Sequence, residues 1–246
     1  MSVQVTFLGT GDAFNTRGQC HASHLVEAPQ ATAMLDCGPS ALLALKREGM
    51  SADNIDIVLL SHLHGDHFAG VPFLLLDGVY DTPRTKPLTI VGPPGTRQRI
   101  DALYRTLYRE ISQRPLPFQF NCIETNGNET LELDGFVVRG FPVPHQECET
   151  SLGLRVTTAG KTILYSGDTG WTEDLVEQSA GTDLFICECC FFETRVNFHL
   201  DYPRIAENRD RFGCKRLVLT HIGREVANRA GEVECEVSLD GMEVEV

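Results

Sequence analysis

The stretch Ile55–Phe68, I-D-I-V-L-L-S-H-L-H-G-D-H-F, constrains this chain more than any other. Ile55 to Leu60 is an apolar run of β-branched and leucine residues, the pattern of a buried strand. It empties into a loop carrying His62, His64, Asp66 and His67, with Gly65 among them to let the backbone turn sharply. Three imidazoles and a carboxylate within six residues make a metal cradle. Imidazole nitrogen and carboxylate oxygen suit zinc, and iron or manganese less often. His62 and His64 are two apart, so an extended backbone aims both the same way, while Asp66 and His67 lie past the turn and face elsewhere. That arrangement predicts two adjacent metals rather than one. The competing reading is a histidine-rich surface loop, and the adjoining strand end counts against it.

Around this stretch the pattern is mixed α/β. Val3–Leu8 alternates and reads as a strand ending at Gly9-Thr10-Gly11-Asp12, where glycines allow close backbone approach. Asn15 to His24 is a loop, with His21 and His24 expected on the surface or behind the metal ligands. Leu25–Glu27 and Ala31–Leu35 form a hairpin, and Ser40–Glu48 a helix with Pro39 or Ser40 near its start. Gly70–Leu76 reads as a buried helical turn and Leu88–Val91 as a strand broken by Gly92-Pro93-Pro94-Gly95. Thr96–Ile111 carries apolar residues at steps of three and four, an amphipathic helix. Short strands are expected at Pro117–Cys122, Thr130–Leu133, Phe136–Phe141, Leu152–Thr157, Thr162–Tyr165, Leu184–Cys189 and Arg216–Leu219, and helices at Glu173–Ser179 and Tyr202–Phe212. Glu232–Val246 alternates Val and Glu and should form a closing pair of strands around Asp240-Gly241.

The 246 residues fit one large α/β domain spanning 1–246. Gln4, Thr6 and Gly9 interrupt the first strand, so no signal peptide or long apolar span is read there, and a soluble cytoplasmic protein without a membrane partner is expected. Nine cysteines, odd in number and scattered, are no disulfide framework. Cys187, Cys189 and Cys190 read either as a structural zinc cluster or, by strand alternation, with Cys187 and Cys189 as small buried hydrophobes. A formal charge of −13 repels polyanions at long range unless basic residues gather on one face. Arg97, Arg99, Arg105, Arg109 and Arg114 are the one candidate patch, with a solvated helix face as the alternative.

H-L-H-G-D-H has the form His-x-His-x-Asp-His, the signature of the metallo-β-lactamase-fold hydrolases. Five more segments fit that resemblance in order: G-T-G-D at 9–12, L-D-C-G at 35–38, His145 after F-P-V-P, S-G-D-T at 166–169 and T-H at 220–221. The resemblance implies a four-layered αββα sandwich; periodicity alone gives only a mixed α/β sheet protein. It also implies that His62, His64 and His145 hold one metal and Asp66, His67 and His221 the other, with Asp168 bridging. The expected cofactor is two divalent ions, Zn2+ first and Mn2+ or Fe after it, activating a bridging hydroxide that Asp66 also orients. Asp36 resembles the aspartate that fixes a ligand imidazole, or alternatively caps the helix that follows.

Within the superfamily the chain looks most like the ribonuclease Z-like phosphodiesterases. P-L-T-I-V-G-P-P-G before a helix is one likeness. Another is Cys187-Glu188-Cys189-Cys190-Phe191 followed by Phe198-His199-Leu200, resembling the segment in which a glutamate orients a histidine that protonates the leaving alkoxide. On that reading His199 is the acid and Glu188 its support; otherwise His199 is a surface residue before the Tyr202 helix, and Leu200-Asp201 departs from the usual Ser or Thr. The family's tRNA-gripping arm has no room here, since only 77 residues lie between His67 and His145, and Pro39-Ser40 replaces the usual acidic-glycine-threonine run. The expected substrate is therefore a small or nucleotide-type phosphodiester, with tRNA disfavoured and a homodimer left open. The alternatives are a thioester hydrolase of glyoxalase II type, a ribonuclease Z-like RNA endonuclease, or a non-catalytic binding module on the same fold.

Overall fold

The computed structural model describes residues 2–246. Its first half comprises β1 (Gln4–Gly9), β2 (Ser23–Glu27), β3 (Thr32–Leu35), α1 (Ala41–Arg47), β4 (Ile57–Leu59), α2 (Gly65–Phe68), α3 (Val71–Tyr80), β5 (Leu88–Gly92), α4 (Thr96–Leu107) and β6 (Phe120–Glu124). The second comprises β7 (Thr130–Leu133), β8 (Phe136–Pro142), β9 (Leu152–Thr158), β10 (Lys161–Tyr165), α5 (Asp174–Ser179), β11 (Leu184–Glu188), α6 (Tyr202–Asn208), β12 (Arg216–Thr220), α7 (Arg224–Asn228), β13 (Glu236–Val237) and β14 (Met242–Glu245).

These strands make two seven-stranded sheets, in the orders β14-β1-β2-β3-β4-β5-β6 and β13-β12-β11-β10-β9-β8-β7. Alternation along the strands divides their apolar residues between two faces. The inner faces meet in one cluster that joins Phe7, Leu35, Ile57 and Leu59 to Phe136, Val156, Tyr165 and Ile186. The outer face of the first sheet packs Met34, Val58 and Ile90 under α1, α3 and α4, burying Leu45, Leu74 and Ile100. The second sheet's outer face does the same with Phe185 and Leu219 under Leu175, Ile205 and Val226 of α5, α6 and α7. The four layers are the expected αββα sandwich.

Three expectations fail at element ends. The closing strands at Glu232–Val246 do not pair with each other: β13 runs parallel to β12 in one sheet, and β14 runs antiparallel to β1 in the other. Asp240 holds the crossover, accepting from the Thr10 amide and hydroxyl and from the Cys20 amide. The helices expected to reach Ile111 and Phe212 stop at Leu107 and Asn208 and continue as single 3-10 turns. Tyr108, at φ −132°, breaks the first, although Tyr108 and Ile111 still pack on the core. Conversely, the turn expected at 70–76 is a full helix to Tyr80.

The fold places one sheet end for chemistry. β8, β10, β11 and β12 point the same way, as do β3, β4 and β5 in the other sheet, so the loops that follow them gather at one rim of the sandwich. Close backbone approach seats the 62–68 loop there. A Cβ on Gly38 would lie 2.3 Å from the Asp66 carbonyl oxygen, so no larger residue fits. Cys37 and His67 are tied by an amide-to-carbonyl bond of 2.6 Å.

Candidate metal centre

His62 follows β4 directly, while Asp66 and His67 ride on the short α2. His145 follows β8, Asp168 follows β10, Glu188 ends β11 and His221 follows β12. The rim brings them together as two groups whose ligand atoms lie within 4.8 Å: His62, His64 and His145 in one, and Asp66, His67, Asp168 and His221 in the other. Asp168 joins the two. Its Oδ2 lies 3.2 Å from His67 Nε2, 3.4 Å from His221 Nε2 and 3.8 Å from both His62 Nε2 and His145 Nε2.

The donor set fits divalent cations. Nε2 of His62 and His67 and Oδ1 of Asp168 are buried with no hydrogen-bond partner, an arrangement that costs stability unless something else satisfies them. The far side of each ring is engaged instead. His67 Nδ1 bonds Asp36 Oδ2 at 2.7 Å, His145 Nδ1 donates to the Phe198 carbonyl at 2.8 Å, and His62 Nδ1 meets Ser61 Oγ at 3.0 Å. Such contacts fix tautomer and leave Nε2 free to ligate. Burial pushes the pKa of His62 well below the usual value and that of His145 to about 4, so both present neutral lone pairs. Burial lifts Asp168, but the neighbouring His221 and His67 outweigh it and hold the carboxyl well below its ordinary range.

Asp36 is not a helix cap. It sits in the left-handed region at φ 56° and accepts four bonds of 2.7 Å, from the Ser61 amide and hydroxyl, His67 Nδ1 and the Tyr165 hydroxyl. Tyr165 was invisible to sequence reasoning, because nothing local distinguishes it from any aromatic on a buried strand. His24 is fully buried between the Phe7 and Tyr165 rings, while His21 bonds Ser40, whose hydroxyl therefore caps no helix.

His199 stands over the cluster. Its Nδ1 lies 2.8 Å from Glu188 Oε1, its side chain is 15% exposed, and it falls within 4.8 Å of ligand atoms of His145 and Asp168. Glu188 also accepts the amides of Thr169 at 2.7 Å and of Cys190 and Leu200 at 3.3 Å, so one buried carboxylate fixes both ends of the loop. Burial lowers the His199 pKa, but Glu188 more than compensates and raises it to about 9. A surface position for His199 is thus excluded. One loop-pinning residue went unread in the sequence, and one cysteine was placed otherwise than expected. Glu225 of α7 accepts the amides of Phe192, Glu193 and Thr194 and pins the same loop. Cys190 places its sulfur within 4.8 Å of His199 and His221 ligand atoms, while Cys187 and Cys189 are core residues. Of the arginine patch, Arg97 pairs with Asp101 and Arg99 with Glu149.

Fold and rim together define a ribonuclease Z-like, metal-dependent hydrolase of the metallo-β-lactamase fold, with phosphodiesterase-type activity. The family model described as "Anti-Pycsar protein Apyc1" matches residues 3–236, and the chain belongs to that family. A ribonuclease Z of Agathobacter rectalis is 31% identical, over 76% of this chain and 77% of its own length. The short form of human tRNase Z is 25% identical with a TM-score of 0.77, covering 98% of each chain. The metallo-β-lactamase fold protein YhfI of Bacillus subtilis superposes over all of both chains with a TM-score of 0.80 at 20% identity, a likeness of fold. None of the helices among the described residues is long and apolar enough to cross a membrane.

Proposed function

We propose that the chain acts as one catalytic domain, a dinuclear phosphodiesterase for a small or nucleotide-type phosphodiester. The observation that carries this is the Glu188-held His199 poised beside Asp168, whose Oδ2 faces four imidazoles. His62, His64 and His145 would hold one cation and Asp66, His67 and His221 the other, with Asp168 between them. When bound, the cations, zinc by the donor set, supply Lewis-acid stabilisation of phosphoryl charge and a water acidic enough to be a nucleophile at neutral pH. The protein's own groups do the rest. Asp66, its pKa pushed upward by burial but held down to about 2 chiefly by His67, stays ionised to orient the incoming water. His199 gives its Nε2 proton to the departing oxygen, and Glu188 holds the ring in line. An alkoxide leaves poorly without such a proton, whereas a thiolate leaves without it, which favours a phosphodiester over a thioester.

Two features support a small diester over tRNA. The charge of −13 opposes polyanion binding, and α3, β5, α4, β6, β7 and β8 account for most of residues 68–144. The test is elemental analysis of the dialysed protein followed by turnover on cyclic nucleotides, aryl diesters, thioesters and precursor tRNA. Two metal equivalents are expected, with His221→Ala losing chiefly one of them and cyclic or aryl diesters the best substrates. A single equivalent unchanged by added metal, or 3′ cleavage of precursor tRNA faster than any small diester, would refute the proposal.

A further inference from the structure

Of the three cysteines in the Cys187-x-Cys189-Cys190 run, Cys187 and Cys189 belong to the outer core and Cys190 does not. Cys190 is half-buried at the rim, and its sulfur, one nitrogen of His199 and one nitrogen of His221 all lie within 4.8 Å of one another.

The backbone enforces that grouping. Glu188 accepts the Cys190 amide at 3.3 Å with Oε2 and holds His199 Nδ1 at 2.8 Å with Oε1, so one carboxylate fixes two of the three donors. Close approach brings in the third. A Cβ on Gly223 would lie 2.1 Å from the Cys190 carbonyl oxygen and 3.2 Å from its sulfur, so the chain two residues past His221 is pressed against Cys190 and only glycine fits there. The His199 and His221 rings stack with an interplanar angle of 13° and their centres 5.6 Å apart. His221 also carries an unmet need. Its side chain is 5% exposed and its Nδ1 is buried with no hydrogen-bond partner, which costs stability unless something satisfies it.

The two groups that include His221 differ in softness. With Asp66, His67 and Asp168 the donors are two carboxylates and two imidazoles; with Cys190 and His199 they are one sulfur and two imidazoles. Carboxylate oxygen suits hard cations, whereas thiolate selects soft ones.

We propose that Cys190, His199 and His221 form an alternative seat for a soft, thiophilic cation, and that filling it shuts the enzyme down. The shutdown rests on the reading of His199 as the proton donor; the seat itself does not. The sulfur–metal bond forms as the thiol proton leaves to solvent, and the His199 Nε2 proton leaves likewise so that the ring's lone pair binds the ion. His199 then has no proton for a departing oxygen. Because His221 is common to both groups, the ion at Cys190 also competes with the one held by Asp66, His67 and Asp168.

The test uses cadmium, a soft divalent ion whose bond to a thiolate absorbs in the ultraviolet. Titrated into the zinc-loaded protein, Cd2+ should produce that absorption and stop hydrolysis of a diester with an alkyl leaving group. Cys190→Ser should abolish the absorption and leave zinc-supported turnover unchanged. It should also raise the cadmium concentration for half-inhibition by more than about 10-fold, since losing even a residue that only supports a metal ligand costs about 10- to 100-fold in affinity. His199→Ala keeps the thiol and should weaken cadmium binding by a similar factor, which checks the seat independently of how the serine variant folds. An absorption that never appears, one that persists unchanged in Cys190→Ser, or half-inhibition at the same cadmium concentration in both proteins would overturn the assignment. A Cys190-dependent absorption in a protein that hydrolyses no phosphodiester would leave the seat standing and sink the phosphodiesterase reading instead.

Discussion

Replacing His199 by alanine isolates one step of the proposed chemistry. His199 is not among the six residues whose side chains form the two cation groups around Asp168, so metal content should not change. Its Nδ1 is committed to Glu188 at 2.8 Å, which leaves Nε2 as the one ring proton that can be given away. With the pKa at about 9, that proton is present at neutral pH. A positioned acid is worth about 10²–10⁴-fold, or about 2.7–5.5 kcal/mol of barrier at 1.36 kcal/mol per tenfold. The loss should appear in kcat on a diester with an alkyl leaving group. On a p-nitrophenyl diester, whose leaving group departs unprotonated, it should be much smaller. Glu188→Gln keeps the side chain's shape but turns charge-assisted bonds, worth about 1.5–3 kcal/mol, into neutral ones of about 0.5–1.5. A difference near 1–1.5 kcal/mol is about 5- to 15-fold, in the same substrate-dependent pattern. Stopped assays of both esters at matched, verified metal loading decide it. Equal losses on both leaving groups would show that His199 binds phosphate or supports the fold, and no loss would remove it from the chemistry.

Two further perturbations probe what holds the site. Asp36→Ala strips the buried amide and hydroxyl of Ser61, His67 Nδ1 and the Tyr165 hydroxyl of their common acceptor. It should weaken metal binding by about 10- to 100-fold in a chelator-competition titration, where a pure capping role would leave affinity untouched. Burial lifts Glu225, but the Thr194 hydroxyl and the amides of residues 192–194 hold its pKa down to about 2, below the usual carboxylate value. Its stabilisation of the 191–199 loop is then complete above about pH 4.5 and fades as pH falls toward 2. The Tm gap between the unmodified protein and Glu225→Gln should narrow over that window, and a gap independent of pH would contradict the assignment.

The sequence by itself determined the ligand types, their order and the layered fold. The strands and the first ligands follow from local rules: an apolar run becomes a strand, alternation chooses its buried face, and a cluster of imidazoles and carboxylate after a buried strand has few uses but a metal. The four layers and the remote ligands came from the family resemblance. The His-x-His-x-Asp-His stretch was legible by those local rules, and the scattered S-G-D-T and T-H segments through their resemblance to the family's ordered motifs. What joined them was tertiary. His62 and Asp168 stand on different sheets, and only the stacking of those sheets with the relevant strand ends at one rim brings Asp168 Oδ2 to 3.8 Å of His62 Nε2. Tyr165 matters through one contact 129 residues away and Glu225 through several with residues 31–33 positions away, and nothing in their own neighbourhoods encodes those partners. The closing segment shows the limit most plainly. Its Val and Glu alternation specified strands, but alternation carries no record of which edge a strand joins. The Asp240 side chain, bound across the chain to Thr10 and Cys20, sent β13 to one sheet and β14 to the other.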